Sequence, residues 1–407
     1  MATKVDWQIQ GSAYDRPEPS FETDLSDVSR GTPTGEMLRR YWHPIAVANE
    51  VGDLPRAVKV LGEDLVLFQT TRREFGLVYP RCIHRGTELI YGKVEDRGIR
   101  CCYHGWLYDC EGHCLERPCE PPALQKPPAH YRQPWYPVQE KYGLVFAYLG
   151  PLELKPLLPS YDILENVEEG MTLVADGTSI GSGGPRIMPC NWFQTHENVM
   201  DPFHVFVLHS NFSTRQFGEM MSILPEVNFA TTEHGVISEQ IRPYPDGSTL
   251  SRITEVILPN LRIVADPTLT RTGPGDNVSW TLPLDETNTR IFTVIKWPEG
   301  EDFPWINGRP MYNGKTWFEL SDEEHQRYPG DYEAQVSQGD ITFHSEEHLA
   351  SSDKGVTLFR RKFRQAISDV ADGKDPEGIR RGDDLLVHVR TGNFVIPADL
   401  DLSHQTI

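Results

Sequence analysis

The sequence predicts an α+β protein, with a small all-β domain followed by a larger mixed domain closed by one long helix. Three patterns carry this. From about 45 to 150 the chain is a series of short apolar runs broken by turn residues, the signature of short strands. Beyond 160, short runs with several β-branched residues recur, so strands continue into the second half. Over 353–370, Val356, Phe359, Phe363, Ile367 and Val370 return at steps of three and four, which is one apolar helix face.

Taken in order, residues 1–30 are polar and rich in turn formers, an arm that folds by docking. Thr32-Pro33 offers an N-cap followed by a first-turn proline, and the stretch GTPTGEMLRRYWHP reads as a short helix ending before Pro44. Runs 57–61 and 65–69 flank Gly62-Glu63-Asp64 as a hairpin, 75–79 follows as a strand, and 143–149 closes the β-domain after a proline-rich loop. A linker at 151–159 leads into the mixed domain. There 253–258 and 261–265 read as strands, and 278–282 and 290–297 as a hairpin around 285–288. The expected domains are thus an arm and helix over 1–44, the β-domain over 45–150 and the mixed domain over 151–407.

The chain has 407 residues, enough for two or three domains, and a formal charge of −20. That balance argues against nucleic acid and anionic membrane surfaces as partners. No run of about 18 apolar residues is present, so no transmembrane helix is expected. The first residues show no signal-peptide pattern. Of seven cysteines, six lie between 82 and 119, a clustering that suits a metal site in a reducing cytoplasm better than a disulfide framework. Segment 81–119 holds six basic and six acidic side chains, a neutral tip on an acidic body that would suit an acidic electron donor.

Residues 81–114 read RCIHRGTELIYGKVEDRGIRCCYHGWLYDCEGHC. Cys82-x-His84 and Cys101-x-x-His104 are two pairs of metal ligands. Four such ligands could hold one zinc, or a two-iron cluster with cysteine on one iron and histidine on the other. The flanks favour the cluster: a glycine, Gly86 or Gly105, follows each pair and permits a tight loop. CxHRG followed by CxYHGWxYDxxG resembles the Rieske [2Fe-2S] signature. Cys101, rather than its neighbour Cys102, keeps the C-x-x-H spacing. Cys110, Cys114 and Cys119 have loose spacing and are not expected as ligands, and His43 and His113 read as helix-end or loop residues.

A second constellation lies at 191–209, NWFQTHENVMDPFHVFVLH. On a regular helix His204 falls about 60° to one side of Asp201 and His209 about 80° to the other. Two imidazoles and one carboxylate on one face of iron(II) leave positions open for dioxygen. Asp201 before Pro202 also reads as an N-cap. Trp192, Phe203 and Phe206 could line a pocket or sit in the core. His344 and His348 are expected to be structural, and Arg360-Arg361 to lie on a solvated helix face.

With both constellations in one chain, the sequence resembles the α-subunits of Rieske non-haem iron oxygenases of the phthalate-dioxygenase type, and NWxxxxENxxDxxHxxxxH resembles that family's mononuclear-iron helix. The resemblance implies a helix-grip (START-like) catalytic domain after the Rieske domain. It implies Cys82, His84, Cys101 and His104 as cluster ligands, His204 and His209 as iron ligands, and Asp201 as a bridge to a cluster histidine of a neighbouring subunit in a homotrimer or a dimer of trimers. The third iron ligand is a downstream carboxylate. In the family it lies several residues before a Gln–Gly step, here Gln338-Gly339, which places it at Asp331, with Asp340 the second candidate. The implied activity uses dioxygen and electrons from a separate flavin/iron–sulfur reductase to hydroxylate, dihydroxylate or O-demethylate an aromatic substrate, an aromatic acid foremost. Rival readings are an electron-transfer protein without the second iron and a zinc-stabilised hydrophobic-ligand binder.

Overall fold

The computed structural model describes residues 13–178, 183–303, 308, 310–383 and 385–399. Residues 1–12 of the expected arm lie outside it. Chain order runs through three small antiparallel sheets, then one large curled sheet, then the long helix.

The first helix is Pro33–Leu38, capped as expected by the Thr32 hydroxyl, which accepts from the Gly35 amide at 3.1 Å. It ends sooner than the sequence suggested, because Trp42–Val47 is a strand paired antiparallel to Leu144–Tyr148. Tertiary contacts override helix propensity here. The Arg39 guanidinium donates to the carbonyls of Val28, Gly35 and Leu61 and pairs with Glu63, while the Trp42 indole donates to the Pro156 carbonyl. His43 is therefore a buried strand residue, within hydrogen-bond distance of the Leu38 carbonyl, and not a helix-end one.

The expected hairpin is Arg56–Val60 against Glu63–Gln69, with Leu61 and Gly62 both at positive φ, the two-residue turn that matches strand twist. Phe75–Val78 and Trp135–Tyr136 complete that sheet. A further four-stranded sheet, Lys93–Glu95, Gly98–Arg100, Leu107–Tyr108 and Cys114–Glu116, carries the second ligand loop.

In the large sheet, neighbouring strands are Met171–Asp176, Thr289–Pro298, Asn277–Pro283, Leu261–Val264, Thr249–Ile257, Gly235–Pro243 and Glu226–Thr231, all antiparallel. The expected hairpin at 278–297 is the Asn277–Pro283/Thr289–Pro298 pair. The expected closing helix is Lys354–Ala371, with Val356, Phe359 and Phe363 buried. Its second residue, Gly355, is so close to the Met200 carbonyl and the Phe229 ring that a Cβ would stand 2.3 Å and 2.5 Å from them. One continuous core joins both halves: Phe146 of the β-domain meets Trp280 of the large sheet edge-to-face at 5.5 Å.

A two-loop cysteine–histidine site and a second triad beside a cavity

The two ligand loops are built alike. Gly86 N–H donates to the Cys82 carbonyl at 2.8 Å, and Gly105 N–H to the Cys101 carbonyl at 3.0 Å. Both glycines stand at positive φ, 74° and 73°, which a side-chain-bearing residue rarely adopts. Each cysteine amide then bonds back across its loop, to Thr87 and Trp106 carbonyls. Cys82 and Cys101 are buried, whereas Cys102 is exposed. The imidazoles of His84 and His104 lie 4.5 Å apart at the half-exposed mouth, and Trp106 stacks on His84 at 4.6 Å. Cys82 Sγ is 3.0 Å from the Tyr108 hydroxyl. Burial, opposed by that hydrogen bond, raises the Cys82 thiol pKa, and a bound metal would reverse this by stabilising the thiolate. His113 sits against Asp109, and Cys114 packs in the small core under the loops.

The second site grows from the segment 191–211, which is not the regular helix that the sequence suggested. Trp192–Glu197 is α-helical, Asn198–Met200 is a 3-10 turn, and Asp201 is extended at φ −106°, ψ 95°. Phe203–Phe206 resumes the helix, and Val207–Asn211 is a π-turn. Positions i and i+5 on an α-helix point about 140° apart. The π-turn takes up the extra residue, so the rings of His204 and His209 meet at 5.3 Å. The Asp201 carboxylate accepts from Phe203 N–H at 2.9 Å where the helix restarts, but it stands one residue ahead of the N-cap position, which Pro202 occupies.

Asp331 opens the helix Asp331–Val336. Its Oδ1 is 3.1 Å from His209 Nε2 and 3.6 Å from His204 Nε2, and the three ligand atoms all lie within 4.8 Å of one another. Asp340 is exposed; its backbone carbonyl instead accepts from Asn191 N–H at 2.7 Å. The quoted motif supplies the scaffold. Asn191 caps Trp192–Glu197, and Gln194 Nε2 donates to the carbonyls of Gln335 and Gly339, tying the Asp331 helix to the histidine segment. Glu197 accepts two bonds from Arg360, which also grips Glu347. Arg360 is 5 % exposed, so it is not on a solvated face. Burial opposes its charge, but the two carboxylates outweigh that and hold it protonated.

Tautomers are set from behind. His204 Nδ1 donates to the Asp201 carbonyl, and His209 Nδ1 donates to Gln216 Oε1 at 2.9 Å. Both Nε2 lone pairs therefore face Asp331. Burial, with the His209 ring beside it, lowers the His204 pKa against the opposing pull of Asp331, favouring the neutral imidazole that a metal needs.

The triad faces a cavity of about 610 Å³ between the histidine segment and the large sheet. Phe217, Val205, Ile295 and Trp297 supply its apolar wall. Trp192, by contrast, is core, fully buried against Phe193 and Phe363, and Phe203 and Phe206 do not line the cavity. His344 is structural, as expected: its Nδ1 accepts from Glu22 N–H at 3.1 Å. Sequence reasoning missed Asn198, whose amide is 3.4 Å from Asp331 Oδ1, and Gln216 and Arg252. Asn198 lay inside the quoted motif; Gln216 had no local signal; Arg252 fell one residue before the strand expected from 253.

The family model for the Rieske [2Fe-2S] domain matches residues 41–137. The α-subunit of phenoxybenzoate dioxygenase from Ectopseudomonas oleovorans is 47 % identical over 401 residues, with 97 % of each chain covered. The oxygenase subunit of tert-butanol monooxygenase/tert-amyl alcohol desaturase from Aquincola tertiaricarbonis is 36 % identical, covering 86 % of this chain and 77 % of that one. Dicamba monooxygenase bound to dicamba superposes with a TM-score of 0.60 at 16 % identity, covering 82 % and 98 %, so the fold is shared. Two ligand loops on a small β-domain, a helix-closed sheet behind them and near-complete coverage of a relative so similar place this chain among the Rieske non-haem iron oxygenase α-subunits, an enzyme family.

Proposed function

We propose that this chain is the terminal component of an aromatic-ring oxygenase whose catalytic iron is held by His204 Nε2, His209 Nε2 and the Asp331 carboxylate. The observation that carries this is the convergence of those three atoms on the wall of the 610 Å³ cavity. Two imidazoles and a carboxylate suit iron(II) with open positions, and such a centre supplies dioxygen activation. Cys82, His84, Cys101 and His104 hold the [2Fe-2S] cluster, which supplies electrons one at a time.

The chain's own groups do the rest. Gln216 and the Asp201 carbonyl orient the imidazoles, Gln194 fixes the Asp331 helix, and Phe217 and Trp297 offer flat apolar surface to a ring. The Asp201 carboxylate, 31 % exposed, bridges to a cluster histidine of the next subunit in a homotrimer. A separate flavin/iron–sulfur reductase feeds the cluster in the cytoplasm; no helix among the described residues is long and apolar enough to cross a membrane. Residues 1–44 form the arm and first helix, 45–150 the Rieske domain and 151–407 the catalytic domain, although the first strand already begins at Trp42.

Metal analysis tests this directly. Three irons per chain are expected; two irons with an intact cluster spectrum leave only an electron carrier. Product analysis with a surrogate reductase, over benzoate, phthalate, phenoxybenzoate and tert-butanol, should give oxygenated aromatics. Turnover of tert-butanol alone would refute the aromatic reading.

A further inference from the structure

The sheet-side wall of the cavity differs in chemistry from the rest. Strand Thr249–Ile257 alternates, and its even-numbered residues Arg252 and Thr254 line the cavity, beside Gln240 of the neighbouring strand. Ser279 and Thr293, hydrogen-bonded to each other at 2.8 Å, extend the polar patch. Arg252 is 1 % exposed.

A guanidinium has five N–H donors. Those of Arg252 reach Thr254 Oγ1 at 3.3 Å and the Ala265 carbonyl at 2.6 Å, and Nε–H has no partner. No carboxylate ion-pairs with Arg252 among the described residues. Asp266, the acid whose charge it feels, is engaged by Thr268 and Thr270. Two other buried arginines are compensated, Arg39 by Glu63 and Arg360 by Glu197 and Glu347, while Arg117 donates to the Leu124 and Lys126 carbonyls away from the cavity. Arg242 is uncompensated too, but it does not line the cavity. Burial lowers the Arg252 pKa only to about 10, so it stays cationic at neutral pH.

An unpaired buried cation is costly unless an anion completes it. We infer that Arg252 is the carboxylate-binding residue of the substrate cavity, so that the substrate is an aryl carboxylate whose acid group seats on the sheet wall and whose ring extends toward His204, His209 and Asp331. This rests on the oxygenase reading of the same cavity and adds the residue that holds the substrate's acid group and the orientation that follows from it.

The test compares phenoxybenzoate with the neutral phenoxybenzamide, and benzoate with benzamide, by anaerobic titration calorimetry on the holoenzyme. Wild type should bind the acids more tightly than the amides. Loss of a charge-assisted bond predicts that R252M weakens acid binding about 10- to 100-fold, with amide binding changed less than about threefold. R252K should recover part of the loss, and R242M should keep the acid preference. Equal weakening of acid and amide in R252M makes Arg252 merely structural and overturns the inference. If R252M does not fold, wild type decides alone: amides bound as tightly as acids, or no acid bound, also overturn it. Iron content separates the two readings. Acid preference without the third iron sinks the oxygenase reading and leaves this one. Three irons and turnover of neutral aromatics without acid preference sink this one alone.

Discussion

Gln216 is the clearest test of how the second site is held. Its Oε1 accepts from His209 Nδ1–H at 2.9 Å, and its Nε2 donates to the Pro329 carbonyl at 3.2 Å, two residues before Asp331. One side chain therefore orients an imidazole and steadies the loop that presents the carboxylate. Gln216→Leu removes both bonds at similar volume. Partners behind a metal-bound histidine are worth about 10- to 100-fold in affinity, or about 1.4–2.7 kcal/mol. The bond to Pro329 adds about 0.5–1.5 kcal/mol in positioning Asp331. Gln216→Glu keeps the acceptor but loses the donor, so it should fall between wild type and Gln216→Leu. The assay is anaerobic iron(II) titration of protein stripped of its mononuclear metal, with the cluster's visible absorption as the control for folding. Unchanged iron affinity in Gln216→Leu would refute the orienting role. A loss in Gln216→Glu as large as in Gln216→Leu would show that the Pro329 bond, not the tautomer, matters.

Asp331→Ala should remove one iron per chain and leave the cluster spectrum intact, whereas Asp340→Ala should retain all three; metal analysis of both variants decides the third ligand. Asp201→Asn should keep every metal and, because the amide oxygen can still accept from Phe203 N–H, change stability by less than about 0.5 kcal/mol, while reductase-coupled turnover collapses; full turnover would remove the bridging role. Burial lowers the pKa of His196 to about 3 and of His43 to about 4. Both are depressed below the unfolded value of about 6.5, so their stabilisation is fully present above that pH and is lost as pH falls toward about 4 for His43 and about 3 for His196. Each costs up to about 1.4 kcal/mol per pH unit in that window. Urea midpoints measured from pH 7 to 5 should fall, and His196→Asn should flatten the slope; an unchanged slope would contradict the burial argument.

What the sequence made legible was chemistry that neighbours in the chain settle among themselves. The Cys–His loops depend on Gly86 and Gly105, each at positive φ and each bonded back to the cysteine carbonyl of its own loop. The 61–62 turn and the apolar face of Lys354–Ala371 are local patterns as well. What stayed hidden depends on partners far along the chain. Arg360 reads as solvated until Glu197, 163 residues away, closes on it. Trp42 belongs in a helix by propensity until Tyr148 pairs with it. Gln216 and Arg252 sit in stretches with no motif, and only the fold turns them toward the cavity. Asp331 and Asp340 were separated in the sequence by resemblance alone; in the fold, Gln194 on the Gln335 and Gly339 carbonyls aims the first at the histidines and turns the second outward.

The irregular backbone of 198–211 is the feature on which the second site depends, and the chain stabilises it by specific means. Two breaks in one short segment free carbonyls that a regular helix would bond. Ser210 Oγ donates to the Val205 carbonyl at 3.0 Å, and Asn211 Nδ2 donates to the Phe206 carbonyl at 2.7 Å and the Ser222 carbonyl at 3.2 Å. The Asp201 carboxylate accepts from Phe203 N–H at the restart, and its own carbonyl is taken up by His204 Nδ1. The side chains that satisfy the broken helix are thus partly those that orient the ligands. Straightening it would cost these bonds and turn His209 about 140° from His204 at once. The distortion and the triad therefore stand or fall together, and the geometry of the site is written in the hydrogen-bonding residues around the histidines as much as in the histidines themselves.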